Sequence, residues 1–289
     1  MKLQKGVVAY LLLSFGIAWT LWELAIRLGT SPGSPLFQLA ILPGAFAPAI
    51  AALVVRAWVT REGFGDAGWR PNLRRAWRYY LLAWLFPLAA VAVISALAIG
   101  LGLAEPDFTL QRATSALGGV SAPQAPPGLV ALLPVQLLLT ALLATPLLWG
   151  EEFGWRGYLQ LRLFPGRPLR AAVATGVIWG LWHLPINLRG YNFPGQPILG
   201  MLVFTVGTVL LSIFFGWLRH RTGSIWAPSL AHAATNAVGG SLMLLLFFGS
   251  GNPLYVAYLG ILGWVPLGLL AGWIAWRGYP RQAPPSLPA

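Results

Sequence analysis

The sequence predicts an all-α fold, a polytopic bundle of about eight transmembrane helices. Hydrophobic residues make up 57% of the 289 residues and charged residues only 9%, whereas a soluble domain carries roughly a quarter charged residues. The apolar residues come in blocks of about 20, the length that crosses a hydrocarbon core. These blocks do not alternate as the strands of a membrane β-barrel do. We therefore expect a single integral-membrane domain over residues 1–277.

Eight apolar segments follow one another along the chain, bounded by charges, prolines or glycines. The first exceeds the length of a signal-peptide core and has no small-residue cleavage site, which favours an uncleaved helix. Pro43 and Pro48 are expected to kink the second segment. The predicted spans are 7–28, 35–58, 79–103, 128–150 with a helical pattern that continues to 163, 169–188, 197–218, 224–248 and 254–276.

Three polar segments are predicted outside the bilayer. Residues 60–78 are rich in arginine and glycine, which indicates a loop or short interfacial helix that contacts lipid headgroups on the cytoplasmic side. Residues 104–127 contain Pro, Gly, Ser and Thr without periodicity, which predicts a long loop on the outer side. Residues 278–289 are rich in proline and are predicted to be a disordered cytoplasmic tail.

The net charge of +12 is distributed in a way that indicates a lipid bilayer, and no nucleic acid, as the partner. The arginines lie between apolar blocks, and no basic stripe interleaved with exposed aromatics occurs. With the amino terminus inside, only Arg27, Arg112 and Arg189 of the nineteen Lys and Arg fall outside. The positive-inside rule then places both termini in the cytoplasm. Abundant Ala, Arg, Gly and Pro beside two lysines favour a bacterium with GC-rich DNA, and hence a multi-pass inner-membrane protein.

Few strongly polar side chains remain within the predicted spans, and ionisable groups at membrane depth are candidates for function. They are Glu151, Glu152 and Arg156 on the fourth span, His183 on the fifth, and His232 and Asn236 on the seventh. Counted at about 1.5 Å per residue from the cytoplasmic ends, Glu151, His183 and His232 lie at roughly 13 to 20 Å. We therefore expect these groups to converge in one cavity that is open to the cytoplasmic half of the membrane.

Helical phase separates the two carboxylates. Glu152 and Arg156 are four residues apart, so they share a helix face and can form an ion pair. Glu151 then remains to face the cavity as a proton-transfer group. His232 and Asn236 are also four apart and could present the two donors that an oxyanion requires. A purely structural ion pair and a helix-to-helix histidine hydrogen bond are the plainer interpretations of the single motifs.

Three sequence patterns together resemble the motifs of the CPBP family of intramembrane glutamic endopeptidases. They are E-E-x-x-x-R at 151–156, W-x-x-x-H at 179–183 and H-x-x-x-N at 232–236. The family includes the Ras-converting type of CAAX prenyl protease and the Abi proteins linked to bacteriocin immunity. The motifs occur in the family order, on the fourth, fifth and seventh predicted helices. Trp179 stands where the family more often has Phe, and we expect it to shape the pocket.

The resemblance implies a hydrolase that cuts a peptide or membrane-protein substrate without a cofactor. Glu151 would be the general base that activates water, assisted by His183. His232 and Asn236 would hold the oxyanion of the tetrahedral intermediate. Three further residues would support this site: Glu152, Arg156 and Trp179.

Two alternatives stay open at this point. Glu151, His183 and His232 could form the three ligands of a catalytic zinc site, although the chain lacks the H-E-x-x-H spacing. We favour the metal-free interpretation. The chain could also be a non-catalytic membrane binding or bacteriocin-immunity protein that uses the same fold.

Overall fold

The computed structural model describes residues 2–30, 34–118 and 126–279. Most of these residues are helical and none forms a strand, which confirms the predicted polytopic helical bundle. Six helices in the described part of the chain are long and apolar enough to cross a bilayer. They are Gln4–Arg27, Leu36–Val59, Leu73–Gly100, Val130–Arg162, Pro197–Thr222 and Trp226–Leu246.

The helices are numbered here in chain order. They are α1 Lys2–Arg27, α2 Pro35–Ala45, α3 Ala47–Val54, α4 Leu73–Gly100, α5 Gln111–Gly118, α6 Pro127–Gly154, α7 Gln160–Arg162, α8 Pro168–Trp182, α9 Leu184–Asn187, α10 Pro197–Thr222, α11 Trp226–Ala234, α12 Ser241–Leu246, α13 Pro253–Val256 and α14 Trp264–Arg277.

The predicted fifth and eighth spans are occupied by shorter helices than expected. Helix α8 has 15 residues and ends at Trp182, whereas the predicted span continued to 188. Helix α14 has 14 residues and fills only the second part of the predicted span 254–276. The first ten residues of that span form most of the single helical turn α13, followed by a non-helical turn. Gly260 and Gly263 lie so close to neighbouring carbonyls in that turn that a side chain would not fit. This tight turn prevents α13 from continuing into α14.

The polar segments also differ from their predicted boundaries. Helix α4 begins at Leu73, six residues before the predicted start at 79, because Asn72 adopts a left-handed conformation (φ 55°) and the breakers Gly68 and Pro71 precede it. The basic segment is therefore a loop over residues 60–72. The predicted outer loop 104–127 contains helix α5, which the carboxylate of Asp107 introduces by accepting the backbone N–H groups of Thr109 and Arg112.

The domain boundary at 277 stays a prediction. One apolar core runs through the described bundle from α1 to α14. Of the predicted tail, Tyr279 is ordered, and its hydroxyl donates to the carbonyl of Ile213 at 2.6 Å. Residues 280–289 lie outside the described residues.

Close helix packing positions the polar motifs. Gly154 lies against Pro48 of α3, where a Cβ atom would come within 2.4 Å of the proline ring, so only glycine lets α3 and α6 approach this closely. On the other side, Thr208 and Ser212 of α10 donate to backbone carbonyls of α8 at 3.0 and 2.7 Å. These contacts fix α6 and α8 against their neighbours near the motif residues.

Three π-helical turns interrupt the described helices, and two of them include motif residues. They are Val55–Val59, Trp155–Leu159 and Thr235–Gly240. A π turn inserts an extra residue and disturbs the regular backbone hydrogen bonds, and such turns are frequent at functional sites. The fully buried Arg56, in the first π turn, donates from Nη2 to the carbonyl of Gly157 in the second at 2.7 Å. One arginine therefore stabilises both turns.

The loop over residues 60–72 packs on the end of the bundle that the sequence predicts to be cytoplasmic. Its acids bind buried arginines: Asp66 accepts from Arg56 at 2.7 Å, and Glu62 accepts from Arg162 at 2.7 Å. Its Trp69 ring lies 4.8 Å from the ring of Phe153 on α6. The loop therefore covers the end of α6 that carries the acidic doublet.

Asp66 remains ionised in this loop for an identifiable reason. Burial alone would raise the pKa of its carboxyl, but the hydrogen bond from Arg56 and the charge of Arg162 outweigh burial and lower that pKa below its usual value. The lowered pKa means that the ionised form stabilises the folded protein.

We expect Arg56→Ala to destabilise the protein by at least about 2 kcal/mol, because it leaves buried carbonyls and Asp66 without their donor. Thermal unfolding in detergent measures the change. Arg74→Ala, at an exposed position on α4, is the matched control and should stay within about 0.5 kcal/mol of wild type. Equal stability of the two variants would contradict the role of Arg56.

Acidification should weaken the same loop. Because the folded-state pKa of Asp66 is lowered, its stabilising effect is present above the ordinary value of 3.8 and is lost as the pH falls below it. We expect the melting temperature of wild type to fall more steeply than that of Asp66→Asn between about pH 5 and pH 3. Parallel melting curves against pH would show that Asp66 does not contribute.

Candidate active site

Glu152 and Arg156 form the ion pair that their spacing predicted. Arg156 donates from Nη1 to Oε1 of Glu152 at 2.9 Å, and both side chains are fully buried. A buried carboxylate and guanidinium stabilise each other only when they are paired closely, because each has lost its hydration. The second π turn begins at Trp155, between the two residues in the chain, and their side chains are still in contact.

His232 joins this pair rather than Glu151. Its Nδ1 lies 3.0 Å from Oε1 of Glu152, the same oxygen that accepts from Arg156. A carboxylate oxygen accepts, so Nδ1 of His232 carries the proton and donates. The sequence analysis grouped His232 with Glu151, whereas in the structure Glu152 orients the imidazole ring. The Nε2 atom of His232 is then the nitrogen that can face another molecule.

Glu151 is buried and is bound by a residue of α8. Its exposed fraction is 7%, and its Oε2 accepts a hydrogen bond from the indole Nε1 of Trp179 at 3.0 Å. Helical phase predicted that Glu151 would lie apart from the Glu152 and Arg156 pair, and its separate partner agrees with that. The contact with Trp179 was missed, because Trp179 was expected only to shape the pocket. The signal was available, since an indole, unlike a phenyl ring, carries a donor.

His183 ends α8 and is fixed by the backbone of the same helix. Its Nδ1 lies 2.9 Å from the carbonyl of Trp179. A carbonyl can only accept, so Nδ1 carries the proton and Nε2 of the neutral ring holds the lone pair. The ring is partly buried, and it packs beside Trp22 and Phe204, with ring centroids 6.0 and 5.0 Å away.

Asn236 lies apart from the other polar residues. It belongs to the third π turn, and its side chain is exposed whereas His232 is 4% exposed. Within the described part of the chain, its amide makes no hydrogen bond with Glu151 or His232. The sequence predicted one face for His232 and Asn236 from α-helical spacing, but the π turn alters that spacing at this point.

The two histidines of the site lie against different turns of α10. The ring of His232 contacts Phe215 of α10, whereas the ring of His183 contacts Phe204. Eleven residues separate the two phenylalanines, a rise of about 16 Å along a helix. Trp179 lies between the histidines, with ring centroids 6.0 Å from His183 and 5.0 Å from His232.

The loop that follows α9 approaches Glu151 from the other end of the bundle. Burial raises the pKa of Tyr191, a hydrogen bond to Gln38 lowers it, and the negative charge of Glu151 raises it again, with a net rise. The Tyr191 hydroxyl donates to Oε1 of Gln38 at 2.7 Å. The sequence analysis did not identify Tyr191, because a tyrosine in a connecting loop carries no distinguishing pattern.

The donor set does not fit the zinc alternative. Among the described residues, no group of three His, Cys, Asp or Glu is arranged to hold a metal ion. His183 and His232 use Nδ1 within the protein, so only the Nε2 atom of each ring could bind a metal ion. We therefore derive no step through a metal.

Breaking the buried ion pair from one side should be more harmful than removing it. We expect Glu152→Leu and Arg156→Leu each to destabilise the protein by about 3 kcal/mol, because each leaves one buried charge unpaired. The double variant should lose less than the sum of the two. Unfolding in detergent measures all three, with Arg170→Gln at an exposed position of α8 as the control. Strictly additive losses would show that the two side chains are not coupled.

Residues 126–238 match the family model described as type II CAAX prenyl endopeptidase Rce1-like. The matched segment includes the acidic doublet, both histidines and Asn236. A search of curated proteins found no match. The segment 126–238 is thus similar to the Rce1-like endopeptidases, and this match confirms the resemblance to the CAAX protease family that the three motifs predicted.

Proposed function

We propose that this multi-pass membrane protein is an intramembrane endopeptidase that hydrolyses peptide bonds with Glu151 as its general base. The observation that carries the proposal is the buried carboxylate of Glu151, held by Trp179 in a region of the bundle that contains both intramembrane histidines. The Rce1-like match supports a protease of the CAAX family. The glutamic mechanism and the role of each residue are part of the proposal.

In the first step, Glu151 accepts a proton from a water molecule while the water oxygen attacks the carbonyl carbon of the scissile peptide bond. The lone pair on Nε2 of His183 accepts a hydrogen bond from the same water and orients it. The bond between oxygen and carbon forms, and the carbonyl π electrons move to the carbonyl oxygen. Glu151 then returns the proton to the leaving amine as the carbon–nitrogen bond breaks.

The negative charge on the carbonyl oxygen of the substrate is assigned to His232 and Asn236. Nδ1–H of His232 is used by Glu152, so His232 can donate to an oxyanion only when Nε2 is protonated too. The Glu152 carboxylate stabilises that imidazolium, and Arg156 holds the carboxylate. Asn236 is exposed, so its amide is accessible to a bound peptide.

The substrate class proposed is a peptide or a membrane protein, cut in a cavity that opens to the cytoplasmic half of a bacterial inner membrane, with both termini cytoplasmic. The distribution of arginines supports this orientation. Because Trp69 and the rest of the 60–72 loop cover that end of α6, a peptide that arrives from the cytoplasm must displace this loop.

Glu151→Gln should abolish peptide hydrolysis while the protein stays folded, because the amide cannot accept the proton of water. Purified protein in lipid nanodiscs is incubated with membrane peptides, and products are identified by mass spectrometry. Glu105→Gln, at an exposed position outside the bundle core, is the matched control and should cleave like wild type. Full activity of Glu151→Gln would exclude Glu151 as the base.

The same assay separates the alternatives. A metal-free mechanism predicts unchanged cleavage after treatment with a chelator, together with no stoichiometric zinc in the purified protein. Loss of cleavage that added zinc restores would favour the metalloprotease. A non-catalytic immunity protein would show no cleavage, and alanine at Glu151 or His183 would leave its protective phenotype intact.

A further inference from the structure

Trp179 contacts four polar residues of the candidate site. Its indole Nε1 donates to Glu151 at 3.0 Å, and its backbone carbonyl accepts from Nδ1 of His183 at 2.9 Å. Its ring lies 5.0 Å from the ring of His232 and 4.7 Å from the guanidinium carbon of Arg156. A residue expected to shape a pocket is therefore placed to orient the reacting groups.

The hydrogen bond to Glu151 is distinctive because of what surrounds it. Within the described residues, the Glu151 carboxylate accepts no other hydrogen bond, and Arg156 is turned to Glu152. A terminal carboxyl rotates about a soft torsion when nothing holds it. The indole N–H binds Oε2, which leaves Oε1 to receive a proton from water.

We propose that Trp179 is a positioning residue that sets the orientation and the charge of the general base, an inference that rests on the proposed function. A donor favours the ionised carboxylate, which is the form that accepts the proton of water. The carbonyl of the same residue holds Nδ1 of His183 protonated and so turns Nε2 toward the reacting water. One side chain and its own backbone thus align two groups that lie on different helices.

Trp179→Phe tests the inference, because the phenyl ring keeps most of the packing and the backbone carbonyl but removes the N–H. We expect kcat to fall roughly 10-fold with KM changed less than about 2-fold. The acid limb of the kcat/KM profile should move to higher pH by about one unit, since the carboxylate has lost its donor. A packing defect alone would lower activity at all pH values without moving the limb.

Trp155→Phe is the matched control. Trp155 is fully buried in the same core, and its Nε1 has no hydrogen-bond partner in the structure, so the change removes similar bulk but no bond. It should keep the wild-type pH profile. Thermal unfolding of both variants in the same detergent shows whether either is misfolded.

Replacement of Trp179 by benzothienylalanine, which has the shape of tryptophan with sulfur in place of N–H, keeps the test valid if Trp179→Phe does not fold. A wild-type kcat and pH profile for this replacement or for Trp179→Phe would overturn the inference. Equal losses in Trp179→Phe and Trp155→Phe, with an unmoved acid limb, would overturn it too.

If Glu151→Gln is inactive in that case, the proposed function stands and only the role of Trp179 fails. If Glu151→Gln is active, the proposed function itself fails.

Discussion

The arrangement of the site depends on one buried cluster of charge, in which Glu152 binds Arg156 and His232 through a single carboxylate oxygen. Charged groups at this depth have lost their water, so each is tolerable only beside the others. The cluster connects α6 to α11 and fixes which nitrogen of His232 faces away from the pair. Arg156 is already paired with Glu152. Glu151, the residue before Glu152, is instead bound by Trp179 of α8. The two adjacent carboxylates therefore have different hydrogen-bond partners because of this one pairing.

The irregular helices around the cluster follow from the same constraint. The second π turn begins three residues after Glu152, and the third lies directly after the helix that carries His232. In hydrocarbon, a backbone carbonyl without a partner is expensive, so irregular backbone persists only where protein groups satisfy it. Arg56 supplies one such group by crossing from the first π turn to the carbonyl of Gly157. A buried arginine thus permits an irregular turn next to the acidic doublet.

Composition and spacing were sufficient for the helical class and the Glu152–Arg156 pair, because these depend on local hydrophobicity and on helical periodicity. They were insufficient wherever a contact joins distant helices. The bond from His232 to Glu152 and the bond from Trp179 to Glu151 depend on how α6, α8 and α11 are rotated about their axes. The π turns change that rotation without any marker in the sequence, which is why Asn236 lies apart from His232. The shortness of α14 was missed for a related reason, since the residues before it are apolar enough to continue a span but turn back at Gly260 and Gly263.

The acidic and basic residues of the loop over residues 60–72 have different surroundings. Both of its acids, Glu62 and Asp66, pair with the buried Arg56 and Arg162, whereas Arg61 and Arg70 of the loop and Arg74 and Arg75 of the adjoining α4 are exposed. The two acids therefore offset positive charges of the bundle, which leaves these four arginines as exposed positive charges at this end of the protein. Such a surface attracts phosphate-bearing headgroups within roughly one Debye length, about 8 to 10 Å, and repels positively charged chain segments. A polypeptide that approaches this end of the protein would consequently meet lipid headgroups held near the arginines before it reaches the helices.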